Sequence, residues 1–238
     1  MLFDPLYLLL AAPGFVLGLW AQWRVKNTFA RYARVPTSGR RTGAEIAAAI
    51  LRAQGISGVR IEPSQGFLSD HYSPGERVLR LSPDVFRGRT IAAAGVAAHE
   101  VGHAIQHARS YPFLGLRSTL VPVVQFASPL AVPILIGGFM LSSLSGGSMG
   151  HLLVLGGLML FAMVVLFQLV TLPVEFDASR RALATLREGG LMTPHELEGA
   201  AEVLRAAAWT YVAAAVSALL TFLYFLIRSG LLGGDRRD

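Results

Sequence analysis

The side chains with the clearest potential for chemistry lie in the pentapeptide His99-Glu100-Val101-Gly102-His103. On a helix, residues four positions apart share one face and lie about 6 Å apart along the axis. Two imidazoles in that arrangement can converge on one tetrahedral zinc ion, at about 2.0–2.1 Å each. Glu100 is rotated by about 100° from His99, where its carboxylate can take a proton from water at the metal. The pattern predicts a hydrolytic zinc site, the alternative being a pair of structural histidines.

A third protein ligand must come from elsewhere, since catalytic zinc typically has three ligands and one open position. His107 continues the same face, but it lies about 12 Å along the axis from His99, too far for both to bind one ion. The better candidate is Glu175, at the start of a helix predicted after Pro173, with Asp177 as runner-up on a different face. The alternative for Glu175 is a carboxylate stabilised by the helix dipole.

Three other histidines and one tyrosine need a role. Tetrahedral intermediates need a hydrogen-bond donor aimed at the developing oxyanion. His71 or Tyr72 is a candidate catalytic group of this kind if the loop that carries them folds over the metal; otherwise that loop merely closes a hairpin. His151 is predicted on the opposite side of a membrane, and His195 is predicted to be a surface residue in the first turn of a helix.

The elements that must position these groups can be predicted from periodicity and turn residues. An Ala-rich helix from Thr90 to Ala108 carries the pentapeptide, and another helix covers Glu175 to Arg187. A helix that begins after Thr193 is expected to continue into an apolar span. Upstream, we expect a helix from Thr42 to Ala53 and two short strands, at Val59–Glu62 and Arg77–Leu81.

Long stretches without charge predict a membrane protein. The 238-residue chain is 53% hydrophobic and only 15% charged, against about a quarter charged in soluble domains. Its mean hydropathy is +0.51. A membrane helix needs roughly 20 apolar residues, and we expect four such spans: about Pro5–Trp23, Leu120–Leu141, His151–Leu172 and Ala206–Ile227.

The distribution of basic residues predicts the topology. Of 21 Lys and Arg residues, 14 lie between Arg24 and Arg117, and four more lie between Glu175 and Arg205. The positive-inside rule places both segments in the cytoplasm, on one side of the membrane, with the tail that ends at Asp238 outside. Topology explains the net charge of +6 better than nucleic-acid binding, which we do not expect.

The predicted fold class is therefore membrane α-helical, with about four transmembrane helices and a small α+β zincin-like cytoplasmic subdomain. The expected division is a first transmembrane helix at 1–23, a catalytic subdomain at 24–117, a transmembrane hairpin at 118–174, helices with the third ligand at 175–205, and a last transmembrane helix with its tail at 206–238.

Four segments together resemble the YugP-type bacterial neutral zinc metallopeptidases, in the same order along most of the chain. The segments are His99–His107, Ser69–Tyr72, Trp20–Lys26 and Glu175–Arg181. The resemblance implies a membrane peptidase of the gluzincin type in which His99, His103 and Glu175 bind Zn²⁺. It also implies that Glu100 is the general base.

One position departs from the wider class, which includes the heat-shock membrane proteases and the CAAX prenyl proteases. Those proteins have the pattern Glu-x-x-Ala-Asp, whereas this chain has Glu175-x-x-Ala178-Ser179. Asp177 is the residue that can substitute for the support that the missing Asp would give to the metal ligands.

The expected function is thus that of a zinc endopeptidase in the bacterial inner membrane, with its active site facing the cytoplasm. Its expected partners are the lipid bilayer and a peptide or protein substrate, which membrane anchoring would bring to the site. The alternatives are an inactive membrane scaffold and a metal-handling membrane protein; the absence of Asp, Glu, Lys and Arg within the spans disfavours the latter.

Overall fold

The computed structural model describes residues 4–66, 69–145 and 147–231. These residues are mostly helical and include one small sheet, which confirms the predicted fold class of a membrane helical protein with a small α+β part. The elements are α1 Pro5–Tyr32, α2 Gly43–Ala53, β1 Arg60–Pro63, β2 His71–Ser73, β3 Val78–Leu81, α3 Pro83–Phe86, α4 Ile91–Ala108, α5 Pro112–Ser145, α6 Ser148–Glu188 and α7 Pro194–Arg228.

Four of the helices, α1, α5, α6 and α7, are long and apolar enough to cross a membrane. Each contains one of the spans expected from the charge-free stretches. The prediction that the tail lies outside the cell concerns Asp235 to Asp238, which are not among the described residues.

The chain divides into two compact units. The first comprises Met1–Trp20, Leu116–Thr171 and Tyr211–Asp238. Its core combines aliphatic and aromatic side chains: the rings of Phe161 and Phe222 stack with centroids 6.1 Å apart, and Tyr224 is fully buried. The phenol of Tyr224 donates a hydrogen bond of 3.0 Å to a carboxylate oxygen of Asp4.

The second unit comprises Ala21–Gly115 and Leu172–Thr210 and holds the sheet together with α2, α3 and α4. The strand order is β1-β3-β2, with β1 parallel and β2 antiparallel to β3. Helix α4 is the central element, because 14 of its 18 residues are buried. Its Ala-rich sequence allows neighbouring backbones to approach from several sides.

Two local predictions were wrong. The segment expected to be a loop between two strands contains the strand β2, which carries both His71 and Tyr72. The helix expected to start at Glu175 is instead part of α6, which runs without a break from Ser148 to Glu188. Glu175 therefore lies inside a long helix, and the alternative of a carboxylate at a helix N-terminus does not apply.

Candidate metal centre

Helix α4 presents the two histidines of the pentapeptide on one face. Thr90 caps the helix, because its side chain accepts a hydrogen bond from the N–H of Ala93. The imidazole rings of His99 and His103 lie edge to face, with centroids 4.8 Å apart. Glu100 between them is buried, with 8% of its surface exposed.

Glu175 on α6 meets this histidine pair. One of its carboxylate oxygens, Oε2, lies 3.2 Å from Nε2 of His99 and 3.7 Å from Nε2 of His103. Possible ligand atoms of the three residues all lie within 4.8 Å of one another. The structure thus brings together the three side chains that were predicted as metal ligands.

A close approach of the two helices makes this meeting possible. At Gly102, between the histidines, a Cβ atom would lie 2.5 Å from the carbonyl oxygen of Ala178 on α6. That distance is shorter than real Cβ contacts allow, so only glycine lets the backbones come this near. Gly102 on α4 therefore controls how far Glu175 lies from His99 and His103.

The other ring nitrogen of His99, Nδ1, contacts Ser179, the residue that stands where the wider class has Asp. The hydroxyl of Ser179 lies 3.1 Å from Nδ1 of His99. Ser179 stands one helical turn after Glu175, so α6 supplies a carboxylate to one edge of the ring and a hydroxyl to the other. This contact orients the ring with Nε2 facing Glu175.

His103 has a corresponding contact that the sequence analysis missed. Its Nδ1 lies 3.0 Å from Oε1 of Gln106, which is fully buried. The amide nitrogen of Gln106 donates in turn to Asp177 at 2.9 Å. Asp177 is not one of the grouped ligands; it also forms ion pairs with Arg180 and Arg181.

The two candidates for oxyanion stabilisation differ in their surroundings. Tyr72 is half-buried, and its hydroxyl lies 2.8 Å from Nδ1 of His107, one turn beyond His103 on α4. His71 is exposed, and its Nδ1 contacts the carbonyl oxygen of Ser69 within its own loop at 2.9 Å. The structure thus links Tyr72, rather than His71, to the helix with the histidine pair.

Asp70, which directly precedes β2, is electrostatically coupled to Glu100. Burial raises the pKa of Asp70, and the negative charge of Glu100 raises it further, although hydrogen bonds from Ser82 lower it. The carboxylate of Asp70 accepts the Ser82 N–H at 2.7 Å and the Ser82 hydroxyl at 2.9 Å. Burial likewise raises the pKa of Tyr72, which keeps its phenol protonated in the neutral range.

The remaining histidines stay outside the group of possible ligands. His107 contacts Tyr72 and is not a member of that group. His195 is exposed, and its nearest ion-pair partner is Glu198 on its own helix, at 3.7 Å. His151 lies at the start of α6, in the first unit, and is exposed.

The donor set fits zinc. Two imidazole nitrogens and one carboxylate oxygen are the ligands of several catalytic zinc sites, and they leave a fourth position for water or substrate. His103 and Glu175 are buried, and His99 is nearly so, which shields the group from competing water. A carboxylate buried between two imidazoles is suited to holding a cation.

Comparisons with known proteins point to the same metal ion. A family model described as "Putative neutral zinc metallopeptidase" matches residues 7–230. The chain belongs to this family. It is also 47% identical over 222 residues to a protein of Bacillus subtilis (strain 168) named "Putative membrane protease YugP", and the match covers 93% of this chain and 95% of that protein. No solved structure matches.

The family membership confirms the resemblance seen in the sequence. Together with the four long apolar helices, it makes the chain a membrane protein of a zinc metallopeptidase family. Gln106 escaped prediction as an orienting residue, and whether Asp177 or Ser179 supports the metal ligands was left open, although a signal existed. Gln106 stands three residues after one expected ligand and Ser179 four residues after another, so each lies on the ligand's own helix face.

Proposed function

We propose that this protein is a membrane-embedded zinc endopeptidase whose metal ion is held by His99, His103 and Glu175. The observation that carries the proposal is the convergence of two imidazoles and one carboxylate, within 4.8 Å, although His99 and Glu175 are 76 residues apart in sequence. The matched family and the named membrane protease of Bacillus subtilis support the same class of reaction.

Glu100 is the proposed general base. It follows His99 directly on α4, is buried, and takes no part in the group of ligands. A bound zinc ion lowers the pKa of water towards about 7 and polarises a carbonyl group. Glu100 accepts the proton that water loses as it attacks the scissile carbonyl, and returns that proton to the leaving amine.

The strand β2 supplies the remaining parts of the proposed site. In the order β1-β3-β2 it is an edge strand, so an extended peptide can pair with its backbone. Tyr72 on this strand keeps a protonated phenol, which can donate to a developing oxyanion. His71 remains the second candidate for this role, since its ring lies exposed on the same strand.

The catalytic side is proposed to be cytoplasmic, in the bacterial inner membrane. The polar segments 24–117 and 175–205 contain 18 of the 21 basic residues and are separated by two spans, so they share one side. We propose that these segments form the catalytic part, between the transmembrane segments 1–23, 118–174 and 206–238. Membrane-anchored or damaged proteins are the proposed substrates.

The proposed chemistry is tested with purified wild type and Glu100→Gln, using dye-labelled casein and a measurement of bound zinc. Glu100→Gln should lose about 10²–10⁴-fold in cleavage rate while it keeps its zinc. Glu198→Gln is the matched control, because Glu198 is exposed on α7, and it should cleave as wild type does. Equal rates in all three would refute the assigned base, and zinc binding without any cleavage would favour an inactive scaffold.

The chain contains no cysteine, which makes the orientation testable. Single cysteines can replace the exposed Arg52 in the polar segment and the exposed Ser143 in the last turn of α5, after the second expected span. A membrane-impermeant maleimide should label Ser143→Cys in intact spheroplasts and Arg52→Cys only after lysis. The opposite labelling pattern would reverse the proposed topology.

A further inference from the structure

A buried polar network reaches His103 from the side that faces away from Glu175. Gln106 is fully buried and makes three hydrogen-bond contacts. Its Oε1 lies 3.0 Å from Nδ1 of His103, and its Nε2 donates to the carbonyl oxygen of Val174 at 2.8 Å and to Oδ2 of Asp177 at 2.9 Å.

The two acceptors determine which way the amide must point. A backbone carbonyl and an ionised carboxylate can only accept hydrogen bonds. The amide nitrogen of Gln106 must therefore face Val174 and Asp177. Rotation of the amide by half a turn would set its oxygen against two other oxygens, leaving the buried acceptors without their donor.

The direction of this amide in turn determines the proton position on His103. Because the oxygen of Gln106 faces Nδ1 and can only accept, Nδ1 of the imidazole must carry the hydrogen. In a neutral ring, the other nitrogen then has its lone pair free for a metal. That nitrogen, Nε2, is the one that faces Glu175 at 3.7 Å.

Asp177 is suited to holding the amide because it is itself fixed. It is buried, and the side chain of Arg181 donates to its Oδ2 at 2.5 Å while Arg180 bonds its Oδ1. Two guanidinium groups on the same helix keep this carboxylate charged and in place. An uncharged or mobile side chain would not select one orientation of the amide as strongly.

We infer that Gln106 is a positioning residue: oriented by Asp177 and the Val174 carbonyl, it holds His103 in the Nδ1-protonated form, with Nε2 presented to the metal. The functional meaning of this tautomer rests on the proposed zinc site. The network itself is a property of the protein before any metal binds.

The first experiment reads the tautomer directly, without metal or substrate. Zinc-free protein with ¹⁵N-labelled histidine is studied by NMR in detergent at about pH 8, above the ordinary imidazole pKa of about 6.5. The His103 signals are assigned by their loss in His103→Gln. We expect the Nδ1-protonated form in wild type, and a mixture of tautomers in Gln106→Leu. The matched control is Gln54→Leu, which removes the exposed hydrogen bond that Gln54 accepts from Arg109. This control should leave the His103 signals unchanged.

The second experiment measures zinc affinity by competition with a chromophoric chelator. Gln106→Leu should bind zinc about 10–100-fold more weakly than wild type, the usual cost of losing a partner of a metal-binding histidine. Gln106→Glu still presents an acceptor to Nδ1 of His103, but its second oxygen faces the Val174 carbonyl and Asp177, so its zinc affinity should fall less than that of Gln106→Leu. Adding Asp177→Asn restores a donor across from that carboxylate, and the double variant should recover to within about threefold of wild type.

The outcomes separate the inference from the proposed function. An Nε2-protonated His103 in wild type, or wild-type zinc affinity in folded Gln106→Leu, would overturn the inference. Circular dichroism identifies variants that have not folded, and the wild-type tautomer tests the inference without any variant. Wild type that shows the expected tautomer but binds no zinc would instead overturn the proposed metal site alone.

Discussion

Replacing Gly102 by alanine tests whether the close approach of α4 and α6 sets the geometry of the proposed metal site. The added Cβ would lie 2.5 Å from the carbonyl oxygen of Ala178 and 3.0 Å from its carbonyl carbon. Both atoms belong to the backbone in the middle of a helix, so the steric clash cannot be relieved by rotating a side chain. The two helices must therefore separate or rotate locally.

The expected displacement follows from these distances. A carbon–oxygen contact settles at roughly 3.3–3.6 Å, so the backbones must separate by about 1 Å at this point. Ligand distances in metal sites tolerate only about ±0.2 Å. His99 and His103 lie on either side of Gly102, and Glu175 lies one turn from Ala178. The separation should therefore lengthen mainly the distance between the two imidazoles and the Glu175 carboxylate. A misplacement of about 1 Å typically costs about 10²-fold in rate.

Stability should change far less than activity. Overpacking costs about 1–3 kcal/mol, while alanine is favoured over glycine within a helix by about 1 kcal/mol. The net loss in the free energy of unfolding for Gly102→Ala should therefore be at most about 2 kcal/mol. Gly95→Ala on the same helix is the matched control, because its Cβ would meet the Cβ of Ala200 at an ordinary 3.4 Å.

The assay compares zinc affinity, casein cleavage and thermal unfolding for wild type, Gly102→Ala and Gly95→Ala. We expect Gly102→Ala to bind zinc at least 10-fold more weakly and to cleave about 10²-fold more slowly, with both values unchanged in Gly95→Ala. If Gly102→Ala kept its zinc affinity and its rate within twofold, the claim that this contact positions the ligands would be refuted.

Three further outcomes are expected. Ser179→Ala should weaken zinc binding several-fold, because Nδ1 of His99 loses its partner, whereas Ser179→Asp should bind zinc as wild type does. Tighter zinc binding by Ser179→Ala would contradict this role. Tyr72→Phe should lower the cleavage rate about 10²–10³-fold without changing zinc affinity, and an unchanged rate would exclude Tyr72 as the oxyanion donor. Burial raises the pKa of Asp70, so the folded protein binds the proton of this carboxyl more tightly than the unfolded chain does. The free energy of unfolding should therefore fall as the pH rises above about 4. Thermal unfolding of Asp70→Asn should lack that fall.

The sequence predicted the parts of the site that depend on local spacing. His99 and His103 share a face because of the helical repeat, and the uncharged stretches reveal the four long helices. Glu175 was found because two spans between two polar segments return the chain to the same side of the membrane. These predictions need only helix geometry and the cost of burying charge in lipid.

The parts that were missed depend on tertiary contacts. The strand β2 has three residues, too few for alternation to be visible, and it forms because β3 offers its open edge. A helix was expected to start at Glu175, yet α6 continues through Pro173, because long membrane helices tolerate proline where neighbours satisfy the freed backbone groups. Gln106 makes contacts with residues 68 and 71 positions away, which no local pattern encodes.

X-ray absorption at the zinc edge of the purified wild-type protein tests the coordination sphere itself. The spectrum should show one zinc ion per chain with two imidazole nitrogens at about 2.0–2.1 Å and a carboxylate oxygen at about 2.0–2.2 Å. Substituting Glu175 by alanine should remove the carboxylate and leave both imidazoles in place. A sphere with three imidazoles, or one that Glu175→Ala leaves unchanged, would contradict the assignment of the third ligand and with it the account of the site.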